Sequence, residues 1–211
     1  TFVFDDQLPQ IKLKRPPVSA GQTISDLPVL SGTAVDDVGL ARIELRIRNN
    51  GAGAYWNPGT FPPSFTLGES DPTGWFLSAG LVNWSSGTFP ANFWANSVNY
   101  SVHARAKDNA GNTAPYEAST FTFTTEIPES YVVLPTTYAI SVFTQITGTA
   151  VDTLSQIDKV WVGIQRKTDN VWWDGSNFSV AQANPFWNPA VIAGGGPCNP
   201  CAWSYTPLTQ G

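Results

Sequence analysis

Apolar and polar residues alternate over several short stretches of the chain, which is the pattern of β-strands with one buried face. In the stretch 42–48 the apolar positions are Ile43, Leu45 and Ile47, and charged residues fill the positions between them. Other stretches follow the same pattern, with apolar positions at Tyr100, Val102, Ala104 and Ala106, at Phe121 and Phe123, and at Val160, Val162 and Ile164. The pattern predicts strands and no helices, with the charged positions in water.

Turn signals separate these stretches. The sequences Asn57-Pro58-Gly59 and Asp174-Gly175 each follow an aromatic pair and precede a phenylalanine, which suits a tight hairpin turn. The stretch 108–112 reads Asp-Asn-Ala-Gly-Asn, and Asp and Asn side chains stabilise turns by bonding to nearby backbone groups. With about seven short strands per unit, the sequence predicts an all-β fold of antiparallel β-sandwich domains.

The chain also repeats itself with a period of about 120 residues, which is the size of a whole domain. The segment 31–36, Ser-Gly-Thr-Ala-Val-Asp, recurs as Thr-Gly-Thr-Ala-Val-Asp at 147–152, and the opening Thr-Phe-Val-Phe matches Thr-Phe-Thr-Phe at 120–123. We therefore predict a complete domain at 8–126 and a second domain at 127–211. Residues 1–7 are predicted to be the terminal strand of a preceding repeat, or a donor strand.

The second copy stops before any counterpart of the stretch 100–123, so we expect it to lack its last strands. Because the sequence starts and stops partway through a repeat, we expect it to be a segment of a longer tandem array. If residues 1–211 are instead one processed subunit, addition of the opening strand to a neighbouring subunit would build a filament.

Composition narrows the class of protein. Charged residues are only 13% of the chain, the net charge is −5 and the pI is about 4.7. Low charge with abundant glycine, proline and aromatic residues is typical of an extracellular all-β protein. An acidic chain is a poor partner for nucleic acid, and no apolar run is long enough to span a bilayer. No stretch has the pattern of a signal peptide.

Two cysteines, Cys198 and Cys201, lie in a loop rich in glycine and proline. A local disulfide is the favoured interpretation, because an extracellular environment is oxidising. A zinc site and a redox-active pair remain as alternatives, although zinc needs about four ligands and the flanking prolines disfavour the helix that a redox pair uses.

Acidic residues at three loops are candidate calcium ligands, because calcium binds six to eight hard oxygen atoms. They are Asp5, Asp6, Asp36, Asp37 and Asp108. The corresponding loops of the second copy do not keep this set. Turn formation by Asp and Asn side chains is the alternative explanation for 108–112.

One outer face of the predicted sheet collects basic residues around Glu44. If the stretch 42–48 pairs with 101–107, the basic residues on that face are Arg42, Arg46, Arg48, Arg105 and Lys107. The face is either an ordinary solvated surface or a contact surface for an acidic partner. Of the tryptophans, Trp94 and Trp161 have no match in the other copy, which makes them candidates for contact with a sugar or a protein.

We find no catalytic constellation and no cofactor motif other than the possible calcium site. His103, the only histidine, is placed by the alternation on the solvent side of its strand, with no partner to orient it. The sequence therefore indicates a protein that is not an enzyme.

The order of these motifs resembles the bacterial immunoglobulin-like repeats of large secreted surface proteins and adhesins. The most specific piece is 104–112, Ala-Arg-Ala-Lys-Asp-Asn-Ala-Gly-Asn, and the resemblance covers nearly the whole chain. It implies tandem immunoglobulin-like sandwiches at the cell surface, used as a stalk, adhesive fibre or filament building block whose partners are neighbouring repeats or subunits. The alternative is a carbohydrate-binding accessory region of a secreted enzyme, with a surface polysaccharide as partner.

Overall fold

A computed structural model describes residues 4–19, 21–136 and 144–206. The chain divides into two compact units, Thr1–Thr125 and Glu126–Gly211. Both are built from β-strands, and the helix among the described residues is a single 3-10 turn at Pro72–Gly74, so the prediction of an all-β fold is confirmed. Part of the strand predicted at 1–7 lies outside the described residues, and residues 4–7 form no strand.

The first unit contains a small and a large sheet. Its strands are β1 (Gln10–Arg15), β2 (Gln22–Ile24), β3 (Ser31–Val35), β4 (Leu40–Asn49), β5 (Ala54–Trp56), β6 (Phe65–Leu67), β7 (Phe76–Leu77), β8 (Asn83–Ser85), β9 (Val98–Asp108) and β10 (Glu117–Phe123). The small sheet has the order β1-β3-β8, and the large one has the order β2-β10-β9-β4-β5-β6, with β7 also beside β4. The pairings are antiparallel except that of β2 with β10, which is parallel.

The predicted pairing of the two longest alternating stretches is confirmed. Strand β4 is antiparallel to β9, with Ile43 opposite Ala106 and Leu45 opposite Ala104. These side chains are buried together with apolar residues from the small sheet, such as Ile11. One core therefore lies between the two sheets, as in a β-sandwich.

The second unit has smaller sheets around a smaller core. Its strands are β11 (Glu129–Leu134), β12 (Ile146–Val151), β13 (Trp161–Val162), β14 (Gln165–Arg166), β15 (Val171–Trp173), β16 (Phe178–Val180), β17 (Asn188–Pro189), β18 (Val191–Ile192) and β19 (Cys201–Tyr205). They form the sheets β11-β12-β19-β18, β13-β17 and β14-β15-β16.

Both units share a close packing of glycine against tryptophan. A Cβ atom on Gly32 would lie 2.3 Å from the Trp84 indole and 2.0 Å from the carbonyl oxygen of Lys12. A Cβ atom on Gly148 would lie 2.1 Å from the Trp203 indole. Only glycine leaves room for the ring at these positions, which explains why a glycine recurs at this place in both copies.

The units differ at one sheet edge. In the first unit β9 pairs with one edge of β4, whereas within the described part of the second unit no strand lies at the corresponding edge of β13 and β14. The strands β11 and β1 differ in the same way: all residues of β11 are exposed, whereas β1 buries Ile11 and Leu13. In the first unit β9 and β10 pack against β1.

Candidate functional site

Three acidic residues of the first unit meet at one end of the sheets. Asp5, Asp36 and Asp37 each offer a carboxylate oxygen within 4.8 Å of the others. One oxygen of Asp36, Oδ2, caps the following turn by accepting hydrogen bonds from the amides of Val38 (3.1 Å) and Gly39 (2.7 Å). Its other oxygen, Oδ1, is buried without a hydrogen-bond partner, as is Oδ2 of Asp5. Close carboxylates of this kind could hold a hard cation such as calcium.

The other two predicted calcium ligands do not join this cluster. Asp6 accepts a hydrogen bond from the Gln7 side chain, 3.1 Å away. Asp108 is buried and accepts hydrogen bonds from the amides of Gly111 and Asn112. Burial alone would raise the pKa of Asp108, but a hydrogen bond from the Asn112 side chain, together with those from the two amides, outweighs it and holds the pKa below its usual value. The prediction of Asp108 as a calcium ligand is therefore replaced by the turn alternative.

The 108–112 turn nevertheless supports the acidic cluster. The Asn112 side chain donates a hydrogen bond to the carbonyl oxygen of Asp5, 3.1 Å away. The amide of Asn109 donates to the carbonyl oxygen of Gly39, 2.9 Å away. The turn thus holds both segments that carry the acidic residues.

The outer face of the large sheet, expected in water, is partly covered by the segment 68–75. Arg46 is only 3% exposed and donates hydrogen bonds to the carbonyl oxygens of Gly68 (2.7 Å) and Glu69 (2.9 Å). Its guanidinium carbon lies 3.3 Å from the centre of the Tyr55 ring. The prediction of Arg46 as part of an exposed basic surface is therefore wrong.

His103 is also buried rather than solvent-facing. Its ring lies 5.9 Å from that of Tyr55 and 4.6 Å from that of Tyr116. Burial lowers the pKa of His103 to about 4, so the ring is neutral at physiological pH. The neighbouring Tyr55 hydroxyl donates a hydrogen bond to Glu69 at 2.6 Å, and burial with this contact raises the pKa of Tyr55 to about 12.

Arg42, Arg48 and Arg105, on the same face, also have partners within the first unit. Arg105 and Arg42 donate hydrogen bonds to the two oxygens of Glu44, at 2.6 and 2.8 Å. Burial of Glu44 would raise its pKa, but these two guanidinium groups lower it below its usual value. Arg48 donates a hydrogen bond to Asn50 at 3.0 Å, and Lys107 is partly buried. One carboxylate, Glu44, thus pairs with two of these arginines inside the first unit.

The two tryptophans predicted to make contacts differ in burial. Trp94 is buried, donates a hydrogen bond to the carbonyl oxygen of Leu27 at 2.7 Å, and packs edge-on against Tyr100. It is a core residue, and its prediction as a contact residue is wrong. Trp161 is 51% exposed and Trp187 is 55% exposed.

Both exposed tryptophans line one cleft of about 540 Å³ in the second unit. Its other lining residues are Pro128, Glu129, Ser130, Ala150, Ile157, Lys159 and Val160. Sequence reasoning did not single out Trp187, because it lies just before the short strand β17 and outside any alternating stretch.

The cysteine loop of the second unit holds a neighbouring loop. Cys198 and Cys201 form a disulfide. The backbone of Cys198 exchanges two hydrogen bonds with that of Ile157. The Asn199 side chain donates hydrogen bonds to the carbonyl oxygens of Asp152 and Ser155. The disulfide loop therefore fixes the loop 152–158.

Comparison with known proteins found no family model that matches this chain and no curated protein that matches it. The described residues contain no helix with the length and apolar character that crossing a bilayer requires.

Proposed function

We propose that the chain is a non-enzymatic structural or adhesive region of an extracellular surface protein, built from tandem immunoglobulin-like domains and serving as a stalk, fibre or filament building block. The observation that carries the proposal is the recurrence of the glycine–tryptophan packing of Gly32 with Trp84 and of Gly148 with Trp203 in two successive units. Repetition of one kind of unit along a chain lengthens a protein without requiring a new fold, which suits a stalk or fibre.

The use of the polar side chains supports a structural role. Arg46 and Asp108 are buried in hydrogen bonds within the first unit, and His103 is buried between aromatic rings. A general acid or base must be able to reach a substrate, whereas these side chains are buried and bound to other groups of the same unit. The disulfide and the low proportion of charged residues support an extracellular location.

Surface exposure on intact cells tests the proposal. We expect an antibody raised against this chain to label intact cells of the source organism, and mild protease treatment of those cells to remove the label. Labelling that requires permeabilised cells would contradict an extracellular role.

The second candidate function is carbohydrate binding, and the cleft lined by Trp161 and Trp187 favours it. Exposed indole rings stack on sugar rings, and Glu129 and Lys159 at the same cleft supply polar groups. Affinity electrophoresis in polysaccharide gels tests this function with Trp161→Ala, Trp187→Ala and the control Phe61→Ala, whose side chain is exposed on the first unit. Retardation lost only in the two tryptophan variants would support it, and retardation equal in all variants would contradict it.

A further inference from the structure

Trp161 also borders a second cleft of the second unit, different from the one that it shares with Trp187. This second cleft, called the loop cleft below, has a volume of about 420 Å³. Its walls are the segment 158–161, the segment 189–192 and the loop 195–197, and Trp187 is not among its lining residues. Binding sites for small ligands have volumes of about 300–1,000 Å³. The loop cleft is therefore large enough for a small ligand.

Two walls of the loop cleft are joined by backbone pairing. Trp161 lies opposite Pro189 in the pair of β13 and β17. The amide of Ala190 donates a hydrogen bond to the carbonyl oxygen of Val160, 2.9 Å away. The loop cleft thus borders the paired side of β13. These two walls do not involve the opposite edge of β13, where the described residues place no strand.

The third wall is a loop that is longer in the second unit than in the first. The segment 190–200 connects β17 to β19, whereas the shorter segment 78–82 connects β7 to β8 at the same place of the first unit. The disulfide of Cys198 and Cys201 closes the end of this loop, and the amide of Gly195 donates a hydrogen bond to the carbonyl oxygen of Ile192 at 3.1 Å. A wall that is fixed in advance loses little freedom when a ligand binds.

The loop cleft combines apolar surface with two opposite charges. Trp161 and Val191 are 51% and 69% exposed. Asp158 and Lys159 are the charged residues among its lining residues, and the Lys159 ammonium lies 3.8 Å from the Asp158 carboxylate. Because the two charges cancel, the loop cleft favours a neutral ligand over an anionic or a cationic one.

A sugar ring matches this combination. Its faces carry C–H groups that stack on an indole, and its hydroxyl groups both donate to a carboxylate and accept from an ammonium. A Cβ atom on Gly195 or Gly196 would meet nothing within 4 Å, so the backbone of the loop is also open to a ligand. A purely apolar peptide segment would instead cover the charged pair without offering it hydrogen bonds, which is unfavourable.

We propose that the loop cleft binds a short stretch of a neutral polysaccharide, with Trp161 stacked on one sugar ring and with Asp158 and Lys159 bound to its hydroxyl groups. The proposal rests on the carbohydrate-binding candidate above and adds a place of contact that the cleft of Trp161 and Trp187 does not include. Its failure would leave the surface-labelling result unchanged.

Affinity electrophoresis of the intact chain tests the site, with gels that contain dextran, mannan or a soluble β-1,3-glucan. The anionic polysaccharide alginate serves as the charged comparison. We expect at least one neutral polysaccharide to retard the wild-type chain, with a dissociation constant that follows from retardation at several polysaccharide concentrations. Retardation by none of the three neutral polymers, or by alginate alone, would overturn the proposal.

Variants locate the bound sugar. Gly196 lines the loop cleft and not the other cleft, and a side chain added there starts in open space, so Gly196→Leu occupies room at the loop wall without a clash. We expect Gly196→Leu and Trp161→Ala each to weaken binding at least about tenfold. Gly68→Leu is the matched control on the first unit, because a Cβ atom there also meets nothing within 4 Å, and it should bind like the wild type.

Trp187→Ala separates the two clefts. Binding kept in Gly196→Leu but lost in Trp187→Ala would place the sugar in the other cleft, which would overturn this proposal and leave the carbohydrate-binding candidate standing. Equal binding by the wild type, Gly196→Leu, Trp161→Ala and Trp187→Ala would overturn both. Melting temperatures of the variants, measured alongside, confirm that the loss of binding is not a loss of folding.

Discussion

Arg42 and Arg46 point to the same side of β4, yet their surroundings differ. Arg46 is buried under the segment 68–75, and Arg42 lies at the surface beside Glu44. We expect Arg46→Met to lower the free energy of unfolding of the first unit by about 2–4 kcal/mol, because it removes the hydrogen bonds of a buried guanidinium to two carbonyl oxygens and its contact with the Tyr55 ring. Arg42→Met should cost less than about 1 kcal/mol. Urea unfolding curves measure both, and equal losses would contradict the burial of Arg46.

His103 should make the first unit sensitive to mild acid. Its pKa is about 4 in the folded protein, against an ordinary value of 6.5, so the unfolded chain binds the proton first as the pH falls. Stability is therefore lost between pH 6.5 and pH 4, by about 3 kcal/mol in total. We expect His103→Phe to flatten this part of the curve of unfolding free energy against pH. The same slope in wild type and variant would show that other groups cause the loss.

Variants of Asp37 and Asp6 distinguish a specific calcium site from a general effect of acidic residues. Asp37 belongs to the cluster with Asp5 and Asp36, and Asp6 does not. We expect millimolar calcium to raise the melting temperature of the chain, and Asp37→Asn, but not Asp6→Asn, to abolish the rise. Differential scanning fluorimetry measures the melting temperature. If calcium left the melting temperature of the wild-type chain unchanged, a calcium site at the cluster would be excluded.

At the scale of elements, a glycine opposite a tryptophan of the neighbouring strand recurs in the β1-β3-β8 sheet and in the β11-β12-β19-β18 sheet. We expect Gly32→Ala and Gly148→Ala each to destabilise their unit by more than about 3 kcal/mol, because the new methyl group would overlap backbone and indole. Gly68→Ala and Gly196→Ala are matched controls, since a Cβ atom there meets nothing within 4 Å. Thermal unfolding would contradict this packing if all four variants melted alike.

Alternation was sufficient to predict the longest strands. The periodic positions at 42–48 and 100–107 predicted β4 and β9 and their buried apolar residues, and the pairing that was assumed for them is present. The burial of Arg46 and His103 was not predicted. The same pattern could not show that the loop 68–75 folds back over Arg46, because a period of two identifies a face but not what covers it. Trp94 was misassigned because it lies in an irregular loop, where no period indicates burial.

At the scale of the whole molecule, the account depends on two successive units that share local packing. The sequence repeat pointed to this packing because glycine and tryptophan recur at matched places. The sheet edge left free in the second unit could be located only once β13 and β14 were seen to pair on one side.

The most direct test of the structural role is electron microscopy of the native surface material, with gold-labelled antibody against this chain. The proposed stalk or filament predicts label on thin, extended structures that project from the cell. Label confined to compact soluble particles, or to the cell interior, would contradict it.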